Sequence, residues 1–208
     1  MPDLKILESI EANFLAKHQE YRKIVNELPV APADVPDANT TASIIAEGIY
    51  TRYFTLWENS IERSFIYFCE GGVALNGKKP VCRLANCSAA EIRRILTNGL
   101  RYLDWSSQRN VRERASLFFE NGMPFYDPVG GKSSVLTDME KLRNMIAHDS
   151  IESANSYKEV QRNNFNTERN FEMAPGQLLR TLSRQSQKNW GEFYFDEIDT
   201  IFASILRP

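Results

Sequence analysis

One stretch, Leu142-Arg143-Asn144-Met145-Ile146-Ala147-His148-Asp149, gathers side chains that could act together on one group. Read as a helix at roughly 100° per residue, it has two faces. Arg143, Asn144, Ala147 and His148 share an arc of about 140°, and Met139, Leu142, Met145 and Ile146 fill the remainder, the side expected to enter a core. An imidazole with an ordinary pKa near about 6.5 can take or give a proton around neutrality. A guanidinium stays charged and can clamp an oxyanion as its charge builds. An amide can position a hydroxyl or fix the imidazole tautomer. Together these groups suit acid–base chemistry on an anionic centre. The other histidine, His18, has no arginine five residues before it and is predicted to lie exposed on a helix.

The elements that must position this stretch read as helices. Residues 4–28 carry Leu7, Ile10, Phe14, Tyr21 and Val25 near helical spacing. The segment 29–39 holds three prolines and reads as a linker. Thr40 or Thr41 is predicted to cap a long aromatic helix reaching about Glu70, stopped by Gly71-Gly72. Ser88-Ala89-Ala90-Glu91 has capping-box form and opens a helix through about Leu103. Ser106 or Ser107 opens the next, through Glu120. The segment 122–133 reads as a loop, and Ser133 or Ser134 begins the helix that ends near His148. A short helix is expected over 155–162, and 165–173 is ambiguous between loop and strand. Pro175 is placed for the first turn of another helix, and the last covers roughly 193–206. The class is all-α: an antiparallel helical bundle with additional helices and long loops.

The whole chain of 208 residues fits one domain, and its 42% hydrophobic content supports a core. A net charge of −2 gives no global pull toward nucleic acid, so RNA affinity would need a local patch. The 16 arginines against 9 lysines lean that way. The most basic stretch holds Arg93, Arg94, Arg101, Arg109, Arg112 and Arg114 against Glu91, Asp104 and Glu113. It reads either as a solvated helix face or as an RNA track, with Arg109 and Arg112 the candidate contacts. Cys69, Cys82 and Cys87 have no metal or redox spacing and suit reduced thiols. No apolar run approaches membrane-spanning length, and Met1 leads into a charged amphipathic segment unlike a signal peptide. A cytoplasmic protein is expected, with no membrane contact, no cofactor and no metal.

The string Arg143-Asn144-x-Ile146-Ala147-His148, at the end of an amphipathic helix in an all-helical chain, resembles the Arg-x4-6-His motif of the HEPN superfamily. An earlier long helix with Trp57, Glu58 and Glu62 is similar in order to that family's core. Arg-Asn-x-Ile-Ala-His-Asp, followed by a polar stretch and Tyr157, looks most like the bacterial branches of toxin and phage-defence loci, such as the RiboL-PSP-associated branch. The resemblance covers residues 40–165, with 1–28 an N-terminal helix, 29–39 the linker and 166–208 C-terminal helices.

What the resemblance implies is a HEPN-like bundle and a metal-independent endoribonuclease. Its products would be a 2′,3′-cyclic phosphate and a 5′-hydroxyl. His148 would move the proton, Arg143 hold the phosphate charge, and Asn144 position, with Glu62 a candidate to orient Arg143 or His148. It also implies a homodimer whose two motif helices build a composite site, and an antitoxin or other regulatory protein as a further partner. The competing expectation is a HEPN module without catalysis that binds RNA, nucleotide or a protein through the same face.

Overall fold

The computed structural model describes residues 2–84, 87–98, 103–148, 150–165, 172–183 and 186–208. Among these the structure is all-α, with nine helices: α1 (Leu4–Glu27), α2 (Thr40–Cys69), α3 (Ala89–Thr97), α4 (Gln108–Phe118), α5 (Tyr126–Gly130), α6 (Ser133–His148), α7 (Ile151–Phe165), α8 (Pro175–Arg180) and α9 (Trp190–Leu206). None is long and apolar enough to cross a membrane. Two compact units result, one of Met1–Ala16, Leu56–Leu136 and Ile198–Pro208, the other of Lys17–Thr55 and Thr137–Glu197.

Helix ends follow side-chain chemistry. Asn39, one residue before the expected threonines, caps α2 by accepting from the Ala42 N–H at 3.0 Å. At the far end Gly72 N–H reaches Tyr67 O and Gly71 N–H reaches Phe68 O, closing a Schellman turn with Gly71 at φ +83°. Ser88 and Glu91 form the reciprocal capping box expected of them. Asn98 in the left-handed region stops α3 earlier than its periodicity suggests, and residues 99–102 of that expected helix lie outside the described residues. The 122–133 stretch is less irregular than its prolines imply, because Pro128 sits inside the short α5. The 165–173 stretch lies largely outside the described residues.

In the first unit, Phe65 is the hub. Its ring centroid lies 5.0–5.6 Å from those of Trp105, Phe118, Phe119 and Phe125. Trp57 and Phe14 both meet Phe202 of α9.

In the second unit, Tyr53 stacks on Phe195 at 3.9 Å and donates its hydroxyl proton to Phe195 O at 3.0 Å. His18 is buried here, contrary to the exposed position expected, with Nδ1 2.8 Å from that hydroxyl. The Tyr53 proton is committed to Phe195 O, so His18 donates and Tyr53 accepts. A polar residue on α1 can therefore enter the core because α2 brings it a partner.

The proline-rich linker has no helical ladder for its carbonyls, which must find other donors. Gln177 Nε2 donates to Pro32 O and Val35 O at 2.9 and 2.8 Å. Arg180, almost wholly buried, donates to Pro29 O at 2.6 Å and to Ser43 Oγ at 3.2 Å, and pairs with Asp37. Removing one partner of such a pair strands the other in a dry site. Arg180→Ala is expected to lower unfolding free energy by about 3 kcal/mol, read as a fall in the urea midpoint. A midpoint equal to wild type would show that the linker needs no such clamp.

Candidate functional site

α6 is set by its buried row. Leu136, Met139 and Leu142 are fully enclosed at a spacing of three, and the Tyr50 hydroxyl donates to Met139 O at 2.9 Å. Past Leu142 the row runs out. Met145 and Ile146, expected in the core, are only half-buried, while Ala147 and His148 are exposed. The last turn of α6 thus stands clear of the packing that fixes its first three.

On that turn Arg143 Nη1 donates to Asn144 Oδ1 at 3.2 Å and lies 3.5 Å from His148 Nε2, the long edge of hydrogen-bond reach. Where this contact is made, His148 accepts through Nε2 and carries its proton on Nδ1. Asp149 lies outside the described residues.

α7 forms the facing wall. It begins four residues earlier and ends three later than expected, at Ile151 and Phe165. The overlooked start signal is Ser150-x-x-Ser153. Ser153 N–H donates to Ser150 Oγ at 3.1 Å and Ser150 N–H to Ser153 Oγ at 2.9 Å. Two further contacts pin α7 to α6: Lys141 to Glu159 at 2.7 Å, and the Asn164 amide to Asp138 at 3.2 Å. Between the helices opens a polar cleft of about 430 Å³ lined by Lys141, Asn144, His148, Ser150, Ser153 and Ser156. Lys141 shares the Asn144 and His148 face at i, i+3 and i+7, a relation already present in the spacing but not singled out.

The remaining predicted residues belong to the other unit. Glu62 is engaged there on both oxygens, accepting from Trp105 Nε1 at 3.1 Å and pairing with Arg93 Nε at 3.3 Å. Its partners come from α3 and from the segment before α4, and no local signal places either against α2. The basic stretch is largely spent on local contacts. Arg109 pairs with Glu113 at 2.7 Å, and Arg114 lies 4.5 Å over Trp105 and donates to Asp104 O. Arg112 lies 4.3 Å over the Tyr126 ring, and Arg101 falls outside the described residues. No group of three or more His, Cys, Asp or Glu among the described residues is placed to hold a metal ion.

Known protein families, curated proteins and solved structures were all compared with the chain, and none matches.

α6 also carries a charge that works against folding. Burial holds the Asp138 carboxyl above its ordinary value and Glu159 adds to this, while the Asn164 amide and Lys141 oppose it. The folded state therefore holds this proton more tightly than the unfolded chain, so stability is lost as pH rises above about 4. Asp138→Asn, which can still accept from Asn164, is expected to raise the urea midpoint at neutral pH. It is expected to leave that midpoint unchanged in acid below the aspartate range. An equal change at both pH values would rule out a titration effect.

Proposed function

We propose that this chain is a HEPN-type, metal-independent endoribonuclease whose active face is the last turn of α6. The observation that carries the reading is the convergence of Arg143 Nη1, Asn144 Oδ1 and His148 Nε2 within 3.5 Å on an accessible helix end. Its all-α architecture accords with a HEPN-like bundle.

In this reading an imidazole takes the 2′-hydroxyl proton, and the 2′-oxygen attacks the adjacent phosphorus. The bond to the 5′-oxygen breaks, and that oxygen leaves with a proton from a general acid. The products are a 2′,3′-cyclic phosphate and a 5′-hydroxyl. Arg143 holds the non-bridging oxygens, whose charge grows in the transition state. Asn144, already bonded to Arg143, limits the rotamers of that long side chain and presents its amide to the substrate. Each α6 supplies one imidazole, whereas the reaction needs a base and an acid at once. A homodimer that brings two α6 ends together completes the pair through a two-fold axis. Exposed Ile151 and half-buried Ile146 beside His148 supply apolar surface for such a contact. An enzyme of this kind suits a toxin or phage-defence effector held in check by an antitoxin or other regulator.

Wild type is expected to cut total RNA in excess EDTA and leave cyclic-phosphate ends. Arg143→Ala and His148→Ala are each expected to lose about 100-fold or more in rate, with circular dichroism unchanged. Cleavage that survives in His148→Ala would overturn the mechanism. Binding without cleavage by wild type would point to the non-catalytic module.

A further inference from the structure

A second recess, about 700 Å³, opens beside α4 and α5 in the unit that does not carry the motif. Arg109, Arg112, Glu113, Leu117 and Tyr126 are among the residues that line it, with Gln108 on the same wall. Its distinguishing feature is the way Arg112 is held. The guanidinium carbon lies 4.3 Å from the Tyr126 ring centroid, and Gly130 stands close by, where a Cβ would come within 3.1 Å of Nε. Nε is enclosed without a hydrogen-bond partner, and so is Gln108 Oε1 on the same wall. Unlike Arg109, Arg112 pairs with no carboxylate among the described residues. It is a fixed cation whose terminal N–H groups are left to the groove.

We infer that this groove is a binding site for a nucleotide unit of single-stranded RNA, with its phosphate on Arg112. The inference takes its ligand class from the ribonuclease reading and its location from the groove alone. A planar fork that is already immobilised binds two phosphate oxygens with little further loss of rotamer freedom. Arg109 stands one turn away in a surface pair with Glu113 that exchanges readily with solvent, and so offers a second cation. Leu117, 69% exposed on the same wall, gives apolar surface for a sugar or base. A guanidinium plane can itself serve as a stacking platform for a base. The volume fits a nucleotide-sized group better than a lone ion. An acidic peptide would use the fork but would leave Leu117 and the stacking plane unused.

The test is anisotropy with a labelled 2′-O-methyl oligoribonucleotide, which cannot be cleaved through its blocked 2′-oxygen, titrated at several salt concentrations. Wild type is expected to bind, and Arg112→Gln to weaken binding about tenfold and reduce the log–log salt slope by about one. Leu117→Glu, at an exposed position that leaves the fold intact, is expected to weaken binding comparably. The inference is overturned if wild type does not bind, or if both variants bind with wild-type affinity and slope. It is equally overturned if an oligoglutamate peptide binds wild type through Arg112 while the oligonucleotide does not. Loss of binding in Arg143→Ala alone would move the RNA to α6 and leave the ribonuclease reading standing. Binding through Arg112 by a wild type that cleaves nothing would sink that reading and keep this one.

Discussion

Everything near the candidate site depends on how α2 is buried. Up to Arg63 the helix keeps an exposed face through Ile44, Gly48, Arg52, Thr55, Asn59 and Arg63 and buries the opposite one, and from Ser64 to Cys69 every residue is buried. Tyr50, Tyr53 and Phe54 are enclosed in one unit, and Trp57, Phe65 and Phe68 in the other. A buried apolar face that long has to be covered by other elements along its whole length. The phenols on it then need partners, since a buried hydroxyl left unpaired is costly. Tyr50 finds the Met139 carbonyl of α6, and Tyr53 finds Phe195 and His18. Hydrophobic burial thus chooses where α6 runs, and one hydroxyl fixes its height. The exposed last turn follows, because the row that packs ends at Leu142.

The helices themselves were largely legible because their evidence is local. Periodicity, proline, glycine and capping residues all act within a few positions. α1, α2, α6 and α8 fall close to where those signals place them. The errors share one cause. His18 is polar and was read as exposed, but its burial is decided by Tyr53, 35 residues away. α3 stops at an asparagine that adopts a left-handed conformation, an option open to asparagine but not dictated by it. α7 starts at serines whose mutual bonds resemble any polar loop until a helix follows them.

At the candidate site the same distinction holds. Arg143, Asn144 and His148 could be grouped from spacing because one helix carries all three, and the structure places them within hydrogen-bond reach of one another. Glu62 sits on a different helix, and no local signal could tell that Trp105 and Arg93 would take its oxygens. The facing wall of the cleft was invisible for a related reason. It depends on how α7 returns along α6, and the pins that fix this, Lys141 to Glu159 and Asn164 to Asp138, join residues 18 and 26 apart.

Arginine count alone does not locate function in this chain, whereas the bonds each arginine makes separate three kinds. Arg180 is buried and spends its terminal nitrogens on a linker carboxylate, backbone carbonyls and a serine, so its charge is used up in holding the fold. Arg93, Arg109 and Arg114 are tied to Glu62, Glu113 and Asp104 O, in contacts that organise their own surroundings. Among the described residues Arg143 bonds to groups on its own helix turn, an amide and an imidazole. Neither group carries a fixed negative charge, and no carboxylate among the described residues is bonded to this guanidinium. A cation kept in place by neutral partners keeps its own charge available to an anion. By that criterion Arg143 on α6 and Arg112 over Tyr126 stand apart from the arginines spent on the fold, and Arg143 alone has an imidazole beside it.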